Sequence, residues 1–431
     1  MKKLKVAVIG AGSTYTPELV QGFITRRDRL EIGSLYMMDI DPEKTAVVTG
    51  LARRMFAAAG LDPRVVITSD LEEAVAGADY VLGQVRVGGL EARIRDEKIP
   101  LKYGLLGQET TGVGGFMNAL RTIPVLMRVA GAIERLAPQA RLINFSNPSG
   151  IIAEALLNHT GVHMTGLCNG PINMIRDARR RIPEGTGMFD YDFIGLNHLC
   201  WITGLHADGK EILQDQLSGK TSVPHPENLP PPPFDEALLR IVRALPCSYL
   251  QYFYHREDRV KKGLAAARTR GEECVEIEAQ LLEMYRDPTL KEKPALLDKR
   301  GGAMYSEAAV SLIDAMENDK GEIHVVDVKN QGAYEFMDWD DVVEVKCRVD
   351  KTGATPLRLP PLDNPHIIAL MRTVKAYEKL AVKAGLTGDR SAALEALLVH
   401  PLVGDFSKAS AVLDEMLEAN RAYLPRFFGR D

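Results

Sequence analysis

A strand that runs without interruption into a glycine turn and then a helix restricts a chain to few architectures. Here Lys3–Ile9 is rich in β-branched residues and is followed at once by Gly10-Ala11-Gly12-Ser13-Thr14-Tyr15. Pro17 stands where a helix can begin, because its missing N–H costs nothing in a first turn. The same order then repeats. Helices are expected over Pro17–Arg27, Pro42–Ala59, Leu71–Ala76 (capped by Ser69 or Asp70) and Asn118–Leu136. Strands are expected over Ser34–Asp39, Val65–Thr68, Tyr80–Gln84, Arg141–Phe145 and His163–Leu167. Strands alternating with helices pair in parallel, so the expected fold class is α/β with a doubly wound sheet.

Around Phe189 the rhythm changes. Strand-like stretches at Asp192–Ile194 and Cys200–Leu205 precede a stiff loop, Asn228–Phe234, with four consecutive prolines. Helical patterns follow at Glu236–Ala244, Glu272–Tyr285 and Met304–Asn318, strands at Glu322–Val328 and Val342–Arg348, and helix again over His366–Ala384 and Ser391–Arg421. With 431 residues the chain is long enough for two domains, read as 1–167 and a mixed α+β part, 168–431. A formal charge of −5 lacks the basic excess of a nucleic-acid protein. No segment reads as membrane-spanning, and the short apolar run at the start ends in a glycine turn, unlike a cleavable signal. Five scattered cysteines form no disulfide framework, which points to the cytoplasm.

The strand–Gly-x-Gly–helix arrangement is suited to a pyrophosphate. The first glycine permits the turn, the second admits backbone close to the phosphates, and the helix start supplies N–H donors. Gly10, Gly12, Ser13 and Thr14 are the candidate contacts, although Tyr15 stands where a third glycine is usual. Asp39, at the end of the second strand, is placed to accept from a ribose 2′-hydroxyl, which favours NAD over NADP. The expected sheet is therefore of the Rossmann type.

Other polar residues gather at predicted strand ends. Cys168 follows the sixth strand, and His198 lies thirty residues on in Gly195-Leu196-Asn197-His198. A thiolate with an imidazole suits a divalent transition ion with an open shell, but buried cysteines are usually inert, and Cys200 competes with Cys168 as His198's companion. Ser146 and Asn147 could cap the next helix or face a ligand. Arg93 could grip a phosphate through its planar fork, and Gly107–Gly115 reads as a glycine-rich loop with one acid. Three tyrosines crowd Ser248–Tyr254.

Taken together, the segments 10–19, 86–93, 99–104, 107–112, 144–150, 167–169, 195–198 and 248–252 resemble, in order, those of glycoside hydrolase family 4, the NAD- and metal-dependent glycosidases. The resemblance covers most of the chain. It implies hydrolysis by oxidation at C3 of the sugar with NAD, removal of the C2 proton, elimination of the aglycone, addition of water and re-reduction, an exception to the usual two-carboxylate scheme. It implies a divalent cation, by family habit manganese, held by Cys168 and His198, with Cys200 a bystander. Tyr249 is similar to the family's base. Arg93, Asn147, Asn169 and, more weakly, Arg270 are similar to its substrate contacts. Members with Asp after the metal cysteine act on α-glycosides; here that residue is Asn169, as in β-specific members, so a 6-phospho-β-glucosidase is expected. Gly170 and Val113 depart from the family pattern. The resemblance further implies a phosphorylated disaccharide or aryl glucoside as substrate and a homodimer or homotetramer. The competing expectation is an NAD-dependent dehydrogenase of the lactate/malate type, which would leave Cys168, His198 and Tyr249 without a task.

Overall fold

The structure, a computed structural model, describes residues 1–180, 182, 185–217, 234–300 and 305–429. Thirteen strands appear: β1 (Lys3–Ile9), β2 (Glu31–Met38), β3 (Arg64–Thr68), β4 (Tyr80–Gly83), β5 (Arg141–Asn144), β6 (His163–Gly166), β7 (Phe189–Leu196), β8 (Leu199–Ala207), β9 (Lys210–Glu211), β10 (Leu245–Pro246), β11 (Glu322–Lys329), β12 (Val342–Asp350) and β13 (Gly353–Pro356). The first six pair in parallel in the order 3-2-1-4-5-6, and β11, β12 and β13 extend that sheet antiparallel beyond β6. This is the doubly wound Rossmann order expected from the sequence. Its reversal point lies between β1 and β4, where ligands of such sheets bind. The 167/168 boundary falls inside a continuous sheet, because β11 pairs with β6 through Asp327 and Gly166.

Most expected elements form within a few residues of their predicted ends. Asp70, not Ser69, caps the short third helix, Leu71–Val75, by accepting from the N–H groups of Glu72 and Glu73. Several expectations need correction. Gly89–Lys102 is a helix that the sequence reading passed over, with Pro100 near its end. The helix expected from Asn118 begins at Gly112, so part of the glycine-rich loop is helical. Close packing explains the glycines: a Cβ on Gly114 or Gly115 would overlap the backbone of Gln108 or Thr110. The segment 391–421 is two helices, Arg390–Val399 and Phe406–Ala419, broken near Pro401 and Gly404, the latter with φ +65°. The proline run 230–233 lies outside the described residues. Helix Gly112–Leu136 is long and apolar enough to cross a membrane by length and composition alone, although Arg121 and Arg128 interrupt its apolar run. Most of it is buried against helices 89–102, 149–159 and 365–387.

A second sheet, β10-β8-β7 with β9 on β8, packs through β7 against β12. The first-half helices are pinned by a buried ion pair. Arg121 donates through both terminal nitrogens to Asp96, at 2.9 and 2.5 Å, and also to Asn420 Oδ1 and the Val87 carbonyl. Both side chains are almost wholly excluded from water, so removing one strands the other's charge. Asp96→Ala is expected to lower stability by about 3–5 kcal/mol. Urea denaturation should show a lower midpoint with an unchanged slope.

Candidate active site

Gly10, Gly12, Asp39, Asn147, Cys168 and Asn169 follow the C-terminal ends of strands in the large sheet, His198 sits on the β7–β8 turn, Tyr249 in a 3-10 turn after β10, and Arg93 and Arg270 on helices. Gly10 has φ +91°, and a Cβ there would lie 2.8 Å from the Gln84 carbonyl. The turn therefore packs directly on the end of β4, which only glycine permits. Gly12 N–H donates to Asp39 Oδ2 at 2.8 Å, while Asp39 Oδ1 accepts from Asp41 N–H. Asp39 thus ties the glycine turn to the start of helix Pro42–Ala58. A Cβ on Gly12 would press on Asp39 and Thr45 at 3.0 Å, so the cradle is open only because the side chain is absent. That geometry fits a dinucleotide. Ser13 Oγ accepts from Tyr15 N–H. Thr14 is buried, and its carbonyl accepts from the Tyr285 hydroxyl at 2.8 Å.

Cys168 follows β6 by two residues and is buried, with its sulfur accepting from Gly170 N–H at 3.3 Å. Glycine at 170 leaves that approach unobstructed, since a Cβ would sit 3.3 Å from the sulfur. Burial, and next the Glu344 carboxylate, push the Cys168 thiol well above its ordinary range. His198 occupies the two-residue turn between Leu196 and Leu199, which pair across β7 and β8. Its φ is +62°, a left-handed conformation costing an L-residue about 1–2 kcal/mol. The His198 ring stacks on Tyr249, centroids 3.7 Å apart and planes 6° apart. Tyr249 stands in a short 3-10 turn, Ser248–Leu250. Burial lowers the His198 pKa to about 4, against the opposing pull of Glu109. The imidazole is therefore neutral, as a metal ligand must be, and its Nδ1 is buried without a hydrogen-bond partner.

These features fit a divalent cation, which would satisfy an orphaned nitrogen and supply the charge that a buried thiolate needs. Among the described residues no group of three or more His, Cys, Asp or Glu side chains gathers as a ready metal site. A cation held by Cys168 and His198 would keep most of its shell open, as catalytic ions do. Cys200 has partners of its own. It lies in β8 opposite Gly195, its sulfur meets Met174 Sδ at 3.8 Å, and it packs where a Cβ on Gly195 would clash at 2.3 Å.

A cluster of charge lies beside this pair. Arg93 is buried, donates to Glu97 Oε1 at 2.8 Å and lies 3.2 Å from Glu109 Oε1. Burial opposes its charge, but Glu109 and Glu97 outweigh it and raise its pKa. Arg86 approaches the other Glu109 oxygen at 2.6 Å. Glu109 was seen in the sequence only as the one acid of a loop. Arg270 is one residue before Gly271, whose N–H donates to Glu97 Oε2, but its own guanidinium bonds Glu273 and the Lys299 carbonyl. Asn147 precedes a cis peptide to Pro148, and its carbonyl accepts from Asn118 at 3.0 Å. The expected helix cap by Ser146 or Asn147 is not made. Pro148 is the N-cap residue, and Ser146 Oγ accepts from Val85 N–H instead, joining the ends of β4 and β5. Asn169 opens helix Asn169–Arg180 beside Cys168.

Glu109 gives this cluster a pH dependence. Burial would raise its pKa, but Arg86 and Arg93 prevail and hold it at about 2. A depressed carboxyl contributes stability that is present above its unfolded pKa and is lost as pH falls through the folded one. Glu109→Gln is thus expected to cost about 3 kcal/mol at pH 7, the gap closing as pH falls from about 4.5 toward 2. Urea melts of both proteins across that range are the measurement.

The chain is similar to known proteins over nearly its whole length. The model of the family 4 glycosyl hydrolases matches residues 5–182, and that of the family's C-terminal domain matches residues 193–403. The 6-phospho-beta-glucosidase of Escherichia coli is 38% identical over 444 residues, covering 99% of this chain and 97% of its own. The 6-phospho-beta-glucosidase of Thermotoga maritima is 38% identical over 425 residues, covering 98% of this chain and 99% of its own. A solved structure of the Thermotoga maritima enzyme with manganese, NAD+ and glucose-6-phosphate has a TM-score of 0.88 and 36% identity, covering 98% and 99% of the two chains. With a family model matching both halves and full-length relatives at this identity, the chain belongs to family 4 of the glycosyl hydrolases.

Proposed function

We propose that the protein hydrolyses 6-phospho-β-glucosides in an NAD- and manganese-dependent reaction. The observation that carries this reading is the His198–Tyr249 stack, a phenol lying face to face with a neutral imidazole. When bound, NAD takes and returns a hydride at C3 of the sugar, and the cation polarises the oxygens on C2 and C3 as a Lewis acid. Cys168 and His198 hold the cation. In this reading Tyr249 takes the C2 proton, standing against the imidazole that would hold the cation. Gly10, Gly12, Ser13, Thr14 and Asp39 form the NAD side, where an acid at 39 disfavours a 2′-phosphate. Arg93, Asn147, Asn169 and Arg270 face the phosphorylated sugar. Residues 1–167 carry the nucleotide and 168–431 the substrate and subunit contacts of a homodimer or homotetramer. A cytoplasmic setting agrees with the five cysteines, all buried free thiols.

An NAD-dependent dehydrogenase of the lactate/malate type shares the sheet order but needs neither a cation ligand nor Tyr249. The two readings differ in stoichiometry: a dehydrogenase accumulates NADH with product, whereas this glycosidase needs only trace NAD⁺. The assay uses nitrophenyl α- and β-glucosides, with and without a 6-phosphate, in the presence of Mn²⁺ and trace NAD⁺. Turnover of the β-linked 6-phosphate compound is the expected outcome, and turnover confined to the α-linked one would overturn the anomeric reading.

Tyr249→Phe is expected to reduce kcat by about 10²–10⁴, the usual contribution of a general base, while NAD⁺ affinity stays unchanged. In heavy water, deuterium is expected at C2 of the product, and proton NMR of the released sugar reads it directly.

A further inference from the structure

Cys168 and His198 belong to different sheets. Cys168 follows β6, an interior strand of the large sheet, while His198 tips a hairpin of the small one. Two ligands can share one cation only if their separation is set, and the hairpin's own ladder does not set it. The left-handed backbone at His198 makes the point sharper, because a strained turn left to itself relaxes.

Two buried residues bridge the gap. The Tyr334 hydroxyl accepts from Gly195 N–H on β7 at 3.2 Å and donates to the Glu344 main-chain carbonyl on β12 at 2.7 Å. The Glu344 side chain accepts from Asn197 Nδ2, in the turn itself, at 3.3 Å. Tyr334 is in turn fixed: Asn330 exchanges two hydrogen bonds with its backbone, and its ring stacks on Phe336. The path then runs straight to the other ligand. Glu344 is paired with Asp327 across β12 and β11, Asp327 is paired with Gly166 of β6, and Cys168 follows two residues later. Both side chains are buried, so no solvent competes for these bonds.

We propose that Tyr334 and Glu344 are positioning residues that hold the His198 turn at a set distance from Cys168, so that the two side chains can grip one divalent cation. Both would act through the turn, by the hydrogen bonds to Gly195 N–H and Asn197 Nδ2. This inference rests on the reading of Cys168 and His198 as the ligands. Groups that orient metal ligands commonly influence metal affinity nearly as much as some ligands do.

The test titrates Mn²⁺ into the purified, metal-stripped full-length protein and follows the free ion by electron paramagnetic resonance. NAD⁺ affinity is measured alongside by fluorescence. Tyr334→Phe keeps the ring and its stacking and removes only the hydroxyl. Glu344→Gln keeps an oxygen that can accept from Asn197, whereas Glu344→Met fills similar space without one. Tyr334→Phe and Glu344→Met are expected to weaken Mn²⁺ binding about 10–100-fold, with Glu344→Gln remaining close to the unaltered protein and NAD⁺ affinity unchanged in all three. His198→Ala separates the two levels of the argument. If it abolishes Mn²⁺ binding while Tyr334→Phe and Glu344→Met bind normally, the positioning inference fails and the ligand reading stands. If His198→Ala binds Mn²⁺ normally, the ligand reading fails and takes the inference with it. Should Tyr334→Phe not fold, the Gln and Met variants at 344 still decide. An equal loss of Mn²⁺ and NAD⁺ affinity, or no difference between Gln and Met, would show a general structural role and overturn the proposal.

Discussion

The stack of His198 on Tyr249 depends on water being kept out. A 3.7 Å ring separation brings an imidazole and a phenol into full contact, and burial keeps the imidazole uncharged, near a pKa of about 4. A protonated imidazole could not bind a cation. The same exclusion raises the cost of a Cys168 thiolate, which neighbouring carboxylates make worse. On the proposed reading of His198 and Cys168 as ligands, low dielectric prepares the first and withholds the second until positive charge arrives, so thiol deprotonation and cation binding would be coupled.

Around this dry centre the protein separates its charges. On one side Glu109 lies between Arg86 and Arg93, and Glu97 is shared between Arg93 and Gly271 N–H. On the other, Lys375 is buried between Glu154 and Glu378, and burial pushes the Asp327 and Glu344 carboxyls up. Arginine's planar fork suits the first arrangement, because it can serve two carboxylates and still present donors to a phosphate. On the second side one lysine ammonium serves two carboxylates, and further acids nearby favour their neutral forms.

How much of this was legible in the sequence follows from the range of the interactions involved. Local ones were readable: the strand into Gly10-Ala11-Gly12, the Asp70 cap and the six alternating strands all depend on residues a few positions apart. The doubly wound order followed from alternation alone. The helix at 89–102 escaped because its pattern includes Pro100 and starts from two glycines with positive φ. The split at 400–405 was hidden within a run that is helical on either side. At the site, Cys168, His198 and Tyr249 could be named from motifs, but the meeting of His198 with Tyr249 could not be read, since it requires a hairpin turn and a 3-10 turn some fifty residues apart to pack face to face. Glu109 as a hub for two arginines, and the Tyr334–Glu344 bridge, are long-range pairings with no spacing signature at all.

The amide at Asn169 bears on the order of bond breaking. It has no ionisable proton to give to a departing aglycone. In a direct displacement that would be a severe handicap, because the leaving oxygen would develop its full charge unaided. In an elimination, removal of the C2 proton places an electron pair next to the breaking C1 bond, and that pair drives the departure. The demand for acid is then smaller, while the demand on the base is correspondingly greater. On the proposed reading, this puts the main catalytic burden on Tyr249, whose ring lies 3.7 Å from that of His198.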